Sequence, residues 1–322
     1  MFRAVFALLL AALSLPSSFP AWSQAYPAKP VRIIVPFAVG GPADIYGRFV
    51  GAKLSESLGQ PFIIENRPGA GAVLGTDAVA KSAADGHTLL VMSNTHTVNE
   101  TLIPTKPYDL MRDLVPVAGI NSSDLLLVVH PSVPANNLQE FLALAKSKPK
   151  GLNYASSGPG TPYHMAGELF KYMAGVEIEH VPYKGSDGAR TGIIGGQVQM
   201  MFDAITTMAA QGRAGRVRIL ASSGKTRSAI TPEVPTVSEA GVPGYEATIW
   251  LGVMAPAGAP RGVQERLNAE IGKVLNSPEV KESWAKQGAV PMAMSVEQFD
   301  RFMREDIQKW AKLVKATGMK VN

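Results

Sequence analysis

Short apolar runs alternate with longer mixed runs along most of the chain, which predicts strands alternating with helices. The first apolar run, Val31–Val35, leads into a loop with Gly40 and Gly41, and a helix is expected to open near Asp44. A strand, a glycine loop and a helix start direct unpaired N–H groups and the helix dipole at one spot. The stretch therefore suits an anion, although an ordinary tight turn has the same pattern.

The same alternation continues through the chain. Further strands are predicted at Pro61–Glu65, His87–Ser93, Leu125–His130, Leu152–Ala155, Glu177–Val181, Val198–Asp203, Arg216–Ser222 and Thr248–Met254. Helices are predicted at Val73–Ser82, Leu138–Lys146, His164–Ala174 and Asp187–Ile194. Wholly apolar strands separated by helices are typical of parallel sheets covered on both faces.

Three of the predicted strands end in loops rich in Gly, Ser, Thr or Asn, after Val35, Met92 and Ala155. The second of these ends is expected to open into a polar loop at residues 94–99. Ligands of open α/β sheets bind beyond the carboxyl ends of strands. We therefore expect all three loops to face one cleft.

Two stretches interrupt the alternation, at residues 104–124 and 230–247, where prolines and turn residues accumulate. They predict an α/β protein with two lobes, each a mainly parallel sheet flanked by helices. Lobe 1 would comprise residues 26–124 and 248–322, and lobe 2 residues 125–247. Because the chain would cross twice between the lobes, a hinge with a cleft is expected.

Residues 1–25 have the features of a secretory signal peptide: basic Arg3, a short apolar run, and small residues at cleavage sites near Ser23 or Ala25. Export, with the mature protein free in the periplasm, is therefore expected. The chain has no cysteine, which excludes disulfides and thiol catalysis. The formal net charge is +5, without a long Lys or Arg run, so nucleic acid is not an expected partner.

Residues for catalysis are not found at useful spacing. The five histidines form no HxxxH or HExxH pattern, and no G-x-S-x-G elbow is present. Gly69–Gly75 departs by one residue from a dinucleotide loop and is interpreted as a tight turn, and Lys184 as a solvated lysine in a turn. We therefore predict no catalytic residue, cofactor or metal, and favour reversible binding over the alternative of a secreted α/β hydrolase or lyase.

The candidate ligand-binding residues lie on these loops. They are Phe37, Val39, Gly40, Gly41, Ala43, Asp44, Ser93, Asn94, Thr95, Ser157, Gly158, Thr161, Tyr163, His164 and Asp203. Asp44 could accept from a ligand ammonium or a bridging water, or cap its helix. His164 could contact a carboxylate or serve local capping and packing. Asp203 could position a loop or touch the ligand.

Five segments in order resemble one family. They read YPAKPVRIIVPFAVGGPADIYGR, ENRPGAGAVLGTDAVAKSAADGHTLL, LNYASSGPGTPYHMAGELF, VPYKGSDGARTGIIGGQVQMMFDAI and PEVPTVSEAGVPGYEA. The chain is similar to the solute-binding proteins of tripartite tricarboxylate transporters, the Bug receptors. The resemblance implies a type II, Venus-flytrap fold that closes on a small carboxylate. Loops Val39–Asp44 and Ser156–His164 would hold the ligand, and a monomer would deliver it to two integral membrane subunits.

The sequence departs from the family pattern in its first loop, where Gly47 stands at the usual alanine beside Tyr46. With Phe37 and Tyr163, Tyr46 suggests a flat aromatic carboxylate such as terephthalate. Aliphatic di- or tricarboxylates are nevertheless the favoured class, and acidic amino acids or neutral compounds are a further alternative. A sensor subunit for a membrane histidine kinase is an alternative role.

Overall fold

The computed structural model describes residues 26–320, and the ten strands within them belong to one sheet. The strands are β1 Val31–Val35, β2 Phe62–Asn66, β3 Thr88–Ser93, β4 Leu114–Val129, β5 Asn153–Ser156, β6 Glu179–Pro182, β7 Met200–Ala204, β8 Arg218–Ser222, β9 Thr248–Pro256 and β10 Ala289–Pro291. The main path runs β2-β1-β3-β9-β4-β7-β5-β6, and β8 and β10 also pair with β4.

Helices cover both sides of this sheet. They are α1 Pro42–Leu58, α2 Val73–Ala80, α3 Asn94–Leu102, α4 Leu110–Asp113, α5 Leu138–Ser147, α6 Pro162–Ala174, α7 Ser186–Ile194, α8 Ile205–Arg213, α9 Arg261–Asn276, α10 Pro278–Ala285 and α11 Val296–Thr317. Within residues 26–320, none of these helices is both long and apolar enough to cross a membrane. The signal peptide predicted at residues 1–25 lies outside the described residues.

Strand β4 divides the sheet into two halves. Residues 114–124 of β4 pair with β9, and residues 125–129 pair with β7 and β8. We call β2-β1-β3-β9 with residues 114–124 and β10 the first half-sheet, and the rest the second half-sheet. The prediction of an irregular break at residues 104–124 is wrong for residues 114–124, because they belong to the continuous strand β4. Pro116 is accommodated there, where the register with β9 shifts.

Parallel and antiparallel pairs have separate places in the sheet. The outer pairs β1–β2, β1–β3, β5–β6 and β5–β7 are parallel, as the alternation of strands and helices predicts. Strands β4 and β9 run antiparallel to each other and to their other neighbours. The carboxyl ends of β1 and β5 lead into the predicted loops, whereas β3 leads directly into a helix.

Each half-sheet has an apolar core of its own. Ile33, Leu54 and Leu267 belong to the core of the first half, and Phe141 and Phe202 to that of the second. All five are almost fully buried. Separate cores are the property that defines domains, and they leave the space between the halves available for a cleft.

The polar segment after β3 differs from its prediction. Residues 94–99 were expected to form a loop, but helix α3 begins directly at Asn94. Ser93 caps this helix by accepting from Thr95 N–H at 3.2 Å, and Ser93 N–H donates to Nδ1 of His96 at 3.2 Å. A histidine thus takes the place that Glu or Gln has in most capping boxes, which is why the pattern was missed. Burial lowers the pKa of His96 to about 4, consistent with this acceptor role.

Candidate ligand-binding site

A cavity of about 510 Å³ lies between the two half-sheets. It is lined by Pro36, Phe37, Ala38, Val39, Gly41, Pro42, Ala43, Pro68, Gly69, Ala70, Gly71, Ala72, Ser93, Ser157, Gly158, Pro159, Thr161, Pro162, Tyr163, Tyr183, Lys184, Gly185, Ser186, Ile249 and Leu251. Its volume is in the usual range of small-molecule sites.

Loops from the two halves touch each other beside the cavity. A Cβ atom placed on Gly40 would lie 3.1 Å from Oδ2 of Asp187, and one on Gly185 would lie 3.3 Å from Cβ of Ala38. A Cβ atom on Gly71 would lie 3.7 Å from the carbonyl oxygen of Pro159. The loops of the two halves are therefore close to each other, and both halves contribute walls to one cavity.

Five helix N-termini meet at this cavity. The lining includes the starts of α1, α2 and α3 from the first half and of α6 and α7 from the second. Of the lining residues within 26–320, none is Asp or Glu, and Lys184 is the one cation. The first amides of α2 and α3 are already engaged, since Val73 and Leu74 donate to the carbonyls of Ala70 and Gly69 and Thr95 donates to Oγ of Ser93. All five N-termini nevertheless direct the positive end of a helix dipole at the cavity, so the site favours a negatively charged ligand.

Helices α1 and α6 begin with the same local construction. A glycine with positive φ precedes the cap in each: Gly40 at 84° and Gly160 at 73°. The third helical residue then reaches back to the amide of that glycine. Gly40 N–H donates to Oδ2 of Asp44 at 3.1 Å, and Gly160 N–H donates to Nδ1 of His164 at 3.1 Å. In both loops, therefore, a side chain of the first helical turn fixes the glycine amide by a hydrogen bond.

This construction leaves particular amides for a ligand. The first helical residue is Pro42 in α1 and Pro162 in α6, and proline has no N–H. The second helical residues, Ala43 and Tyr163, line the cavity. An N–H at the second helical position has no intrahelical acceptor, so each of these amides can donate to a bound anion.

Asp44 connects several groups of the first loop and its neighbours. Its carboxylate lies 2.8 Å from the Arg48 guanidinium and accepts from Asn66 Nδ2 at 3.0 Å, besides the bond from Gly40. Burial raises the pKa of Asp44, but the bonds from Arg48, Gly40 and Asn66 outweigh burial and leave the pKa below its ordinary value. The carboxylate is thus charged at neutral pH and engaged with the protein itself.

His164 braces the second loop as a neutral imidazole. Its Nδ1 must be unprotonated to accept from Gly160, and its ring stacks on His180 with centroids 4.1 Å apart. Burial lowers the pKa of His164 to about 4, with a further lowering by the charge of Lys171. His180 Nε2 lies 2.6 Å from Oγ of Ser156, which accepts from Gly158 N–H. Both imidazoles therefore support the loop from the side away from the cavity.

Asp203 is bound within the second half. Arg190 donates to it from Nε at 2.6 Å and from Nη2 at 3.2 Å, and Ala204 N–H donates at 2.8 Å. The carboxylate is fully buried. This arrangement fixes the end of β7 against α7, in keeping with the positioning role considered for Asp203.

The structure brings nine of the fifteen predicted site residues to the cavity wall: Phe37, Val39, Gly41, Ala43, Ser93, Ser157, Gly158, Thr161 and Tyr163. Six others lie behind or beside the wall: Gly40, Asp44, Asn94, Thr95, His164 and Asp203. The expectation that Tyr46 lies near the cleft is wrong. Its ring is buried against Trp284, with centroids 4.8 Å apart, because it occupies the core face of α1.

Three parts of the wall were missed from the sequence. The loop Gly69–Ala72 was interpreted only as a turn, and the loop Tyr183–Ser186 as solvated, yet both precede helices and line the cavity. A glycine before a predicted helix was the available signal for each. Ile249 and Leu251 of β9 have no such signal, because the sequence does not distinguish an apolar strand residue in a core from one in a cavity wall.

Two α/β halves joined by crossing strands, and closed over a cavity at helix N-termini, define a two-lobed solute-binding protein. The family model described as "Tripartite tricarboxylate transporter family receptor" matches residues 47–319. The chain belongs to this family, as the motifs indicated. Protein BugT of Bordetella pertussis is 39% identical over 304 residues, with 94% of this chain and 93% of BugT covered.

Solved structures agree with this assignment. R. palustris Rpa4515 with adipate has a TM-score of 0.88 at 34% identity, covering 92% of this chain and 99% of that one. MatC (Rpa3494) from Rhodopseudomonas palustris with bound malate has a TM-score of 0.84 at 33% identity, covering 90% and 100%. The predicted two-lobed α/β class is confirmed, and the family is one of periplasmic binding receptors, not enzymes.

Proposed function

We propose that this receptor captures a small carboxylate in the cavity between its lobes and delivers it to a membrane transporter. The observation that carries the proposal is the convergence of five helix N-termini on a cavity whose described lining contains no Asp or Glu. Such a site stabilises a carboxylate through oriented amides, without burying a salt bridge.

The amides of Ala43 and Tyr163 are the donors we assign to the carboxylate, because both follow a helix-initiating proline and line the wall. Charge-assisted hydrogen bonds of this kind contribute roughly 1.5–3 kcal/mol each. Asp44, His164 and Asp203 then act by holding the loops in place. Adipate in Rpa4515 and malate in MatC support a carboxylate as the ligand class.

We assign residues 26–124 and 248–322 to lobe 1 and residues 125–247 to lobe 2, as proposed from the sequence. The change of partners along β4 at Asp124 and Leu125, and the start of β9 at Thr248, support these two crossings. The crossing strands would serve as the hinge on which the lobes open for ligand entry.

The family name supports two membrane subunits as the partners, and the predicted signal peptide supports a periplasmic location. Ligand would be handed over from the closed form. No feature of the site specifically supports the alternative role as a sensor subunit.

A thermal-shift screen of the chain from residue 26, with adipate, malate, citrate, terephthalate and glutamate, tests the ligand class. A carboxylate present at a hundred times its dissociation constant should stabilise the protein by about 2.7 kcal/mol. The primary amides of the same acids serve as uncharged controls and should give no shift. If the amides stabilise the protein as well as the acids do, or if no acid does, carboxylate binding is refuted.

A further inference from the structure

The cavity wall contains one cation among the described residues, Lys184. This lysine lies in the loop Tyr183–Ser186, directly before helix α7, and it is exposed. The nearest acidic residue along the chain, Asp187, pairs with Arg190 at 3.1 Å instead, and Arg190 also holds the buried Asp203. Within residues 26–320, no carboxylate lies within ion-pair distance of the Lys184 ammonium group. Its charge is therefore available to a ligand.

The lysine and the amides assigned to the carboxylate lie at different depths of the cavity. Ala43 is 6% exposed and Tyr163 is 2% exposed, and the wall residues Ile249 and Leu251 are almost as deeply buried. Lys184, in contrast, is exposed, so its ammonium group lies toward the solvent side of the wall. A ligand that reaches both the amides and the lysine needs two anionic ends, with a middle section that can lie against Ile249 and Leu251.

Further polar groups lie beside the lysine. Helix α7 begins at Ser186 without a side-chain cap, and its first amides have no intrahelical acceptor. The Tyr163 hydroxyl is buried next to the Ser186 side chain and has no hydrogen-bond partner within residues 26–320. Burial and the charge of Asp203 raise the pKa of Tyr163, so its hydroxyl stays neutral and adds no negative charge to the wall. This side of the cavity therefore offers a second anionic group both donors and a positive charge.

From these observations we infer that Lys184 selects ligands that carry a second carboxylate group. The inference rests on the proposed function: one carboxylate meets the amides of Ala43 and Tyr163, and the other meets the Lys184 ammonium group. An ammonium group attracts a carboxylate but gains little from a neutral amide of the same size. Because solvent screens an exposed lysine, we expect a preference of roughly tenfold for the added charge, below that of a buried pair.

Matched ligands test the inference by isothermal titration calorimetry on the chain from residue 26. Succinate, adipate and terephthalate are each compared with their monoamide, which has nearly the same size and one charge fewer. The dicarboxylate that binds most tightly should bind about tenfold more tightly than its monoamide. Lys184→Gln should reduce this ratio at least fivefold, mainly by weakening the dicarboxylate. Lys184→Arg keeps the charge and should leave the ratio within threefold of the wild type.

A matched control separates the lysine's position from its charge. Lys146→Gln removes the same charge from an exposed position on α5, outside the residues that line the cavity. Its ratio of affinities should equal that of the wild type. A ratio reduced as much as in Lys184→Gln would show that only the net charge matters, and it would overturn the role of Lys184.

The two proposals fail in different ways. If no carboxylate binds to the wild type, carboxylate binding is refuted, and the role of Lys184 with it. If a dicarboxylate and its monoamide bind within threefold of each other, or if Lys184→Gln keeps the ratio of the wild type, carboxylate binding stands and the role of Lys184 is refuted. A monocarboxylate such as benzoate that binds as tightly as the best dicarboxylate would refute it as well.

Discussion

A valine at Gly41 should block the cavity while leaving the fold intact. Gly41 is the N-cap of α1, with φ −81° and ψ 168°, an extended conformation that valine adopts readily. A Cβ atom here would lie 3.8 Å from the Ala38 carbonyl oxygen and 3.9 Å from Oγ of Ser186, in ordinary van der Waals contact. Alanine should therefore fit without displacing either lobe.

The additional methyl groups of valine extend roughly 1.5 Å beyond Cβ. They must enter the gap to Ser186 on the opposite loop or cover the adjacent amide of Ala43. Losing one charge-assisted hydrogen bond costs roughly 1.5–3 kcal/mol, or about 10- to 150-fold in affinity. The cost to the fold is limited to the weaker N-cap, about 1 kcal/mol.

Calorimetric titration with adipate, or with the carboxylate that gives the largest thermal shift, measures this effect. Gly41→Ala should bind within about fivefold of the wild type, and Gly41→Val at least tenfold more weakly, with melting temperatures of both variants close to that of the wild type. A valine variant that binds within threefold of the wild type would show that the α1 loop does not hold the ligand.

Two further predictions concern the groups that brace the loops. Asp44→Asn removes the negative charge that Arg48 and the Gly40 amide contact, and it should lower the free energy of unfolding by about 2 kcal/mol in urea titrations. As a control, Asp300→Asn breaks a solvent-exposed ion pair with Arg304 and should cost under about 0.5 kcal/mol. Equal losses in the two variants would contradict the role of Asp44 in holding the first loop. The pKa of His164 is lowered to about 4, so between pH 6.5 and 4 the unfolded chain binds a proton at this histidine that the folded protein does not. The free energy of unfolding therefore falls as the pH falls through that window, by about 2 kcal/mol at pH 5 for this group. His164→Asn keeps an acceptor for Gly160 but cannot titrate, so its stability should fall less between pH 7 and 5 than that of the wild type; parallel curves would refute the assignment.

The pattern of the sequence predicted the strands that carry the site because those strands are short, apolar and bounded by turn residues. Val31–Val35 was predicted at its observed bounds, and the loop that follows lines the cavity. A strand buried on both faces is readable locally, since burial and β-propensity favour the same residues.

Long-range pairing was harder to predict. Residues 114–124 contain Pro116 and Gly119, which suggest a break, yet they pair with β9 through a shifted register. The register shift beside Pro116 depends on a partner, Met254, that lies 138 residues later in the chain, so no local pattern predicts it.

The candidate site shows the same limit. The sequence leaves Asp44 and His164 with two roles each, ligand contact or local capping. In the structure both accept the amide of the glycine four residues earlier, at 3.1 Å, which is a local role. Both loops contain a glycine, one further residue and a proline before the helix, and this shared spacing is visible in the sequence. That Asp44 and His164 play the same part in the two loops is seen only when the loops are compared in the structure.

A crystal structure of the chain with a bound carboxylate tests the central claim most directly. We predict carboxylate oxygens about 2.7–3.1 Å from the backbone nitrogens of Ala43 and Tyr163, directly or through one water, with the ligand body against Ile249 and Leu251. A ligand bound outside this cavity, or one whose carboxylate meets neither helix start, would contradict the account.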